Sequence, residues 1–163
     1  MACRVAYAIR FSLMMYLGID PGFSGAWGMI DHNGQYIACS DMEHDGYQLK
    51  TNDMLHKIDQ ARNHLDMLIV IEKVHSMPSQ GVASTFKFGL AYGSILALAE
   101  RLNFETQLVT PQKWKKDLGL TSNKNDSLIL ARKLWNEAPL ARKKDNGRAE
   151  ALLLAHWLKN KMS

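Results

Sequence analysis

Residues 16–25, with the sequence YLGIDPGFSG, form the stretch that decides the fold. Apolar residues run directly into Asp20, and a proline and a glycine then end the strand that this pattern predicts. A carboxylate at the end of a buried strand is costly unless a cation meets it. A divalent metal ion is the cation that best fits such a place. We therefore predict that Asp20 is the first carboxylate of a metal site.

The chain around this stretch predicts an α/β fold with a mixed five-stranded sheet flanked by helices. Strands are predicted where short apolar runs lie between turn signals: 16–20, 26–30, 36–39, 67–71 and 106–109. Helices are predicted where apolar residues recur every three or four positions: 53–66, 84–102, 125–136 and 148–159. A short extra helix is predicted with Thr110 as its N-cap and Pro111 at its first position. The Asn33-Gly34 pair is a strong hairpin signal between the second and third strands.

Glu72 repeats the pattern seen at Asp20, because it directly follows the apolar run 67–71. If the strands 16–20 and 67–71 are adjacent and parallel, both carboxylates project from the same edge of the sheet. Two carboxylates at close range repel each other unless one is protonated or a metal lies between them. Oxygen ligands favour Mg²⁺ or Mn²⁺ over zinc, so we expect Mg²⁺ with Mn²⁺ as a possible substitute.

The last predicted helix offers two more acids. Asp145 lies in the loop that leads into it, and Glu150 lies in its first turns beside the apolar run 151–155. Either acid could instead complement the positive end of the helix, which is worth ~0.3–1 kcal/mol. That alternative carries more weight for Asp145, because the neighbours of Glu150 are predicted to be buried.

The final third of the chain is basic. Residues 1–109 carry 8 Lys and Arg against 11 Asp and Glu, whereas residues 110–163 carry 12 against 5. Such a region points to a polyanion, most often nucleic acid, although a solvated basic surface is an equally good interpretation. The candidates for phosphate contact, of which we expect about half to serve, include an exposed basic loop at 142–147: Lys113, Lys115, Lys116, Lys124, Arg142, Lys143, Lys144 and Arg148.

Length and composition suit one domain with a single core, since 163 residues are 47% hydrophobic and 22% charged. We assign residues 15–163 to that domain. Residues 1–14 are predicted to be a flexible extension, with a short targeting piece or an upstream start codon as alternatives. The two cysteines lack metal-ligand spacing, which favours a reducing, cytoplasmic compartment. No apolar run approaches the ~20 residues that span a bilayer, so no membrane is expected.

Several segments, in their order and spacing, resemble the RuvC family of Holliday-junction resolvases. They are GIDPG at 18–22, IE at 71–72, FGLAYG at 88–93 and DNGRAEAL at 145–152. The stretch from TPQKWKK at 110–116 to Lys124 is also similar to the basic stretch of that family. The resemblance covers residues 16–158. It implies an RNase H-like fold and a homodimer. It also implies two Mg²⁺ ions held by four acids, and paired phosphodiester cuts across a four-way DNA junction.

The resemblance also implies roles for individual residues. Asp20, Glu72 and Glu150 match three of the four family acids. The fourth acid usually stands three residues before the last one, where this chain has Gly147, so Asp145 is taken as its replacement. His75 stands where a common family pattern has an aromatic residue that meets an unstacked base.

The function expected from these residues is that of a metal-dependent, structure-selective DNA endonuclease that resolves four-way junctions by paired phosphodiester hydrolysis. Two alternatives stay open: a non-catalytic junction-binding protein, and another RNase H-like nuclease acting on branched DNA or RNA–DNA hybrids. An actin-like ATPase has a similar turn after its first strand, but it needs two such domains and 163 residues are too few.

Overall fold

The computed structural model describes residues 14–74 and 81–162. The strands are β1 (Met15–Asp20), β2 (Ala26–Ile30), β3 (Tyr36–Asp41), β4 (Met67–Glu72) and β5 (Thr106–Val109). The helices are α1 (Thr51–Arg62), α2 (Val82–Leu102), α3 (Pro111–Asp117), α4 (Lys124–Leu134) and α5 (Asn146–Met162), with a 3-10 turn at Lys143–Asp145. The predicted α/β fold with a mixed five-stranded sheet is confirmed.

The strands lie in the order β3-β2-β1-β4-β5. β2 pairs antiparallel with both β1 and β3, whereas β4 runs parallel to both β1 and β5. The predicted hairpin between β2 and β3 is confirmed: Oδ1 of Asp31 accepts hydrogen bonds from the backbone N–H groups of Asn33 and Gln35, and Gly34 has φ +84°. The parallel pairing of β1 with β4 brings Ile19 opposite Ile71, so the acid that ends each strand lies at the same edge of the sheet.

Alternation of side chains along the strands places both acids on one face of the sheet. Leu17 and Ile19 of β1 face a core built with α1 and α2. Tyr16 of β1 and Val70 of β4 face the opposite core, built with α3, α4 and α5. Asp20 lies an even number of positions from Tyr16, and Glu72 lies two from Val70. Both acids therefore fall on the face that α5 covers.

Helix α5 rests directly on the backbone of β1 and β2. A Cβ added to Gly18 would collide with the carbonyl oxygen of Ala151, and one added to Gly28 would lie 2.8 Å from the backbone nitrogen of Leu152. No side chain separates the helix from the sheet at these two points. Glu150, which precedes Ala151, is thereby carried to the end of β1.

The predicted start of α3 is confirmed, whereas the boundaries of the other helices differ from the prediction by up to four residues. Thr110 is the N-cap of α3, its hydroxyl accepting a hydrogen bond from the N–H of Lys113. Helix α1 ends at Arg62 rather than at 66, because Asn63 and His64 take left-handed conformations with φ 47° and 64°. Helix α5 begins at Asn146, two residues before the predicted start.

The prediction of an exposed loop over 142–147 is therefore wrong in part. Residues Lys143–Asp145 form a 3-10 turn that leads into α5, and Asp145 is only 1% exposed. At the other end of the chain, Met14 is buried beside Tyr16 in the core under α5. Residues 1–13 lie outside the described part, so the boundary of the N-terminal extension stays a prediction.

Among residues 14–74 and 81–162, one helix is long and apolar enough to cross a membrane by length and composition, namely α2, with a mean hydropathy of 1.4. Only 22% of its apolar window is buried. Its buried residues, among them Ala91, Ile95 and Leu98, pack in the core with the sheet. A core helix passes the same test, so this is weak evidence for a membrane.

Candidate active site

The three acids that end β1 and β4 and begin α5 lie around one cavity. The cavity has a volume of about 440 Å³ and is open to solvent at one side. Glu72 and Glu150 are each 7% exposed, and Asp20 is partly exposed. The structure brings Asp20, Glu72 and Glu150 together as the sequence predicts. Their polar neighbours in the wall are Ser24, Lys115, Lys124, Lys144 and Asn146.

Asp20 is the acid whose surroundings most disfavour a negative charge. Burial raises its pKa well above the ordinary value, and the charges of Glu72 and Glu150 raise it further. The ammonium groups of Lys124 and Lys115 act in the opposite direction without cancelling the shift. A group in this position is stabilised in its charged form by any additional cation that enters the cavity.

Glu72 is fixed by a tryptophan. The indole nitrogen of Trp114, which is fully buried in α3, donates a 2.9 Å hydrogen bond to Oε1 of Glu72. Burial raises the pKa of Glu72, and this hydrogen bond partly offsets the shift. The two residues are 42 positions apart, so no local pattern in the sequence could have paired them.

Glu150 is held by a lysine from the same short helix. Nζ of Lys115 lies 2.7 Å from Oε1 of Glu150, and the hydroxyl of Ser127 donates to the same oxygen at 3.3 Å. The Lys115 side chain is only 15% exposed. Lys115 was predicted to contact phosphate, and the structure places it inside the acidic cavity instead of on an outer surface.

Asp145 is the predicted site residue that the structure does not bring to the cavity. Its Oδ2 accepts the backbone N–H of Arg142 at 2.7 Å, and its Oδ1 accepts the Arg142 guanidinium at 2.6 and 3.0 Å. Burial alone would raise the pKa of Asp145, but the hydrogen bonds from Arg142 outweigh it and hold that pKa below its ordinary value. Asp145 thus closes the turn before α5.

Asn146 and Gly147 line the cavity at the position next to Asp145. Oδ1 of Asn146 is buried and accepts no hydrogen bond within the described part of the chain. The sequence carried one signal for this residue that went unused: Asn146 precedes Glu150 by four positions, the spacing that puts two side chains on one side of a helix.

The eight basic candidates divide by their partners. Arg142 and Lys115 pair with site-region acids as described, Lys113 pairs with Asp117 at 2.9 Å, and Arg148 binds Asp41 through two hydrogen bonds of 2.7 and 2.8 Å. The remaining four are exposed, and their ammonium groups form no hydrogen bond or ion pair with another described residue: Lys116, Lys124, Lys143 and Lys144. His75 lies outside the described residues.

The donor set suits a hard divalent cation, because every candidate ligand presents oxygen. Within residues 14–74 and 81–162, no group of three or more His, Cys, Asp or Glu side chains is gathered closely enough to hold a metal as it stands. Nζ of Lys115 lies 2.7 Å from Oε1 of Glu150, so a cation that binds this oxygen would compete with the Lys115 ammonium.

The chain is similar to one curated protein and to several solved structures. Holliday junction resolvase MOC1, chloroplastic, of Chlamydomonas reinhardtii is 38% identical over 85 residues, which is 50% of this chain but only 10% of that protein's length. Thermus thermophilus RuvC in complex with Holliday junction substrate aligns with a TM-score of 0.64 and 18% identity, over 92% of this chain and 97% of that one.

A second Thermus thermophilus RuvC structure aligns with a TM-score of 0.51 and 19% identity, over 91% of this chain and 96% of that one. No protein-family model matches the sequence. These alignments confirm the RNase H-like fold and, at the level of the fold, the resemblance to RuvC.

Proposed function

We propose that this chain, which shares its fold with RuvC, is a metal-dependent endonuclease that resolves four-way DNA junctions by paired phosphodiester hydrolysis. The observation that carries the proposal is the meeting of Asp20, Glu72 and Glu150 in one cavity whose wall also contains Lys115, Lys124 and Lys144. Carboxylates suit metal binding, and ammonium groups suit the phosphates of a bound strand. The matched relative is called a Holliday junction resolvase, and one matched structure holds such a junction.

Asp20, Glu72 and Glu150 are the residues that would hold Mg²⁺, two ions per site, or Mn²⁺ in its place. Such ions supply an activated water and stabilise the charge that develops on the phosphate oxygens. The protein's own residues orient the acids: Trp114 holds Glu72, and Ser127 holds Glu150. Lys124 and Lys144 are exposed at the mouth of the cavity and are placed to bind the phosphates beside the cut.

The test is cleavage of a synthetic four-way junction beside duplex, flap and RNA–DNA hybrid substrates. We expect the junction to be cut in Mg²⁺ and the other substrates to be cut much more slowly. Asp20→Asn should bind the junction without cutting it. Asp53→Asn, the same change at an exposed acid of α1, should cut like the wild type.

Two outcomes would overturn this function. Binding of the junction with no nicks in Mg²⁺ or Mn²⁺ would leave a non-catalytic junction-binding protein. Preferential cutting of the flap or the hybrid would leave another RNase H-like nuclease, since a fold does not fix a substrate.

The protein is also proposed to act as a homodimer through the outer face of α2. Val82 is 88% exposed and Phe86 is 65% exposed, and a Cβ on Gly89 or Gly93 would meet nothing within 4 Å. These four residues follow one another along one side of the helix at steps of three and four. A second copy of the same helix fits this surface, because glycines allow two backbones to approach closely.

Phe86→Glu should convert the dimer to a monomer in sedimentation equilibrium. Ile129→Glu, at an equally exposed apolar residue of α4, should leave the dimer intact. A wild-type chain that sediments as a monomer would exclude the dimer. Binding of the protein to detergent micelles or vesicles would indicate that this surface contacts a membrane instead.

A reducing compartment is also proposed, and the described cysteine, Cys39, is free.

A further inference from the structure

Helix geometry separates Asn146 and Asp145, the two candidate ligands that precede Glu150. A residue four positions earlier lies only about 40° around the helix, whereas a residue five positions earlier lies about 140° away. Asn146 therefore shares the side of α5 that carries Glu150, and it lines the same cavity. Asp145 belongs to the 3-10 turn before the helix, does not line the cavity and is occupied by Arg142.

Gly147 shows why the donor is displaced by one residue from the place that the family resemblance implies. A Cβ at Gly147 would lie 3.1 Å from the carbonyl oxygen of Ser24 and 3.5 Å from Cβ of Ala26. A side chain at 147 would therefore fit only if the turn between β1 and β2 shifted by a few tenths of an ångström.

The amide of Asn146 has an unused acceptor. Its Oδ1 is buried and has no hydrogen-bond donor within residues 14–74 and 81–162. Buried acceptors without a donor are rare, and each one destabilises the fold unless something else meets it. A cation in the adjoining cavity would meet it, as would a water bound to that cation.

We propose that Asn146 completes the metal site, so that this chain binds its divalent ion with three carboxylates and one amide. The inference rests on the proposed function for the identity of the site. The amide lowers the negative charge of the ligand set by one relative to four acids. Because affinity for hard cations follows the number of charged ligands, this chain binds its ion more weakly than a four-acid site does.

Binding of Mn²⁺ to the full chain without DNA, followed by electron paramagnetic resonance of the free ion, tests this directly. Asn146→Asp should bind Mn²⁺ about tenfold more tightly, and Asn146→Ala should bind it about tenfold more weakly. Asn160→Asp makes the same change near the other end of α5 and should leave the dissociation constant unchanged.

Asp145→Asn tests the other candidate for the fourth metal ligand, Asp145 itself. It should lower the melting temperature, because Arg142 loses its partner, and it should leave Mn²⁺ binding unchanged. Unchanged affinity in Asn146→Ala would overturn the inference, as would loss of Mn²⁺ binding in Asp145→Asn or a wild type that binds no Mn²⁺. A wild type that binds Mn²⁺ through Asn146 but cuts no DNA would overturn only the proposed function.

A different feature carries a second inference. A groove of about 630 Å³ adjoins the acidic cavity and shares Pro21, Ser24 and Phe88 with it. Its walls come from the turn after β1, the loop after β3 and the first turns of α2. A DNA strand that continues from the three acids towards this groove would place its next nucleotide in it.

The groove combines aromatic rings with a cation. The rings of Phe23 and His44 meet edge to face with centroids 5.0 Å apart, and Nζ of Lys87 lies 5.7 Å from the Phe23 centroid. The backbone carbonyl of Gly46 accepts a 2.9 Å hydrogen bond from Lys87, which holds the ammonium beside the ring. Proteins hold unpaired nucleotides with this combination, stacking the base and pairing the phosphate.

The geometry points to a subsite in which Phe23, His44 and Lys87 hold one unpaired nucleotide next to the scissile phosphate. This inference also rests on the proposed function. The groove would supply the contact to an unstacked base that the family resemblance places at residue 75, and it would do so from a different part of the chain.

Junctions with one abasic nucleotide at each position within two of the cut provide the test, with binding measured in the absence of divalent ions. The wild type should lose roughly tenfold in affinity when the base that occupies the groove is missing. Phe23→Leu should bind intact and abasic junctions alike, Lys87→Gln should bind both more weakly, and Lys133→Gln on α4 should bind and discriminate like the wild type.

Three results would overturn the subsite: equal affinity of the wild type for all abasic junctions, full discrimination by Phe23→Leu, or unchanged junction affinity in Lys87→Gln. Failure to bind any branched DNA would overturn the proposed function together with the subsite. Phe23 also packs against the core, so Lys87→Gln, at an exposed residue, separates loss of binding from loss of folding.

Discussion

Trp114 and Glu72 are joined by a hydrogen bond of 2.9 Å across 42 residues of sequence. The next residue, Lys115, holds Glu150. The seven-residue helix α3 therefore orients two of the three acids, although it contributes no acid to the cavity itself.

Trp114→Phe should slow junction cleavage by about 10–100-fold, because Glu72 loses the donor that orients it. Trp135→Phe is the matched control, since Trp135 is also buried and its indole donates to the carbonyl of Gly34, away from the acids. Both variants should lose roughly 1–3 kcal/mol of unfolding free energy. Equal cleavage rates in the two variants would contradict the role of Trp114.

Asp20→Asn should stabilise the metal-free protein while removing its activity. Burial and the charges of Glu72 and Glu150 disfavour the Asp20 carboxylate, and a neutral amide of the same shape removes that repulsion. A gain on the order of 1 kcal/mol would raise the melting temperature by about 2–4 °C, measured by calorimetry in a chelator. With added Mn²⁺, the wild type should have the higher melting temperature of the two proteins. A melting temperature of Asp20→Asn below that of the wild type in the chelator would refute the prediction.

Asp145→Asn should destabilise the fold by roughly 1–3 kcal/mol, because the backbone N–H and the guanidinium of Arg142 lose a charged acceptor in a buried turn. Urea unfolding measures the loss. Asp53→Asn in the first turn of α1 should change stability by no more than about 0.5 kcal/mol. A loss of equal size in both variants would remove the structural role assigned to Asp145.

Protonation of His156 should lower the free energy of unfolding in mild acid. Burial, and to a lesser degree the charge of Lys159, lowers the pKa of His156 below 6.5, so the folded chain binds this proton less readily than the unfolded chain. The stability that depends on the neutral ring is complete above pH 6.5 and is lost as the pH falls below it.

Urea unfolding at pH 7.5 and 5.5 should show this loss in the wild type and a smaller loss in His156→Gln. The substituted amide can still pair with Asn160, whose Nδ2 lies 3.1 Å from Nε2 of His156. Identical pH dependence of the two proteins would assign the titration to other groups.

The sequence predicted Asp20, Glu72 and Glu150 correctly as neighbours because their positions depend on regular structure. The carboxylate of an acid at the end of a parallel strand lies at a known edge of the sheet. The alternation of side chains along the strand, with a period of two residues, sets the face on which it lies. Glu150 was identified by the buried run that follows it in α5. These rules require only that each element is recognised.

Asp145 and Asn146 could not be separated in the same way. Each position along a helix turns the side chain by about 100°, so assigning a ligand requires knowing where the helix starts and how its first turn is capped. The partner of Arg148 was equally out of reach, because Asp41 lies 107 residues away on an edge strand. Pairings of this kind depend on the packed fold and not on local pattern.

The backbones of β1 and α5 meet at Gly18 and Ala151 with no side chain between them. A Cβ at residue 18 would collide with the carbonyl oxygen of Ala151, so any larger residue there would push α5, and Glu150 with it, away from β1. The spacing of the proposed metal site therefore depends on a glycine that supplies no ligand to it.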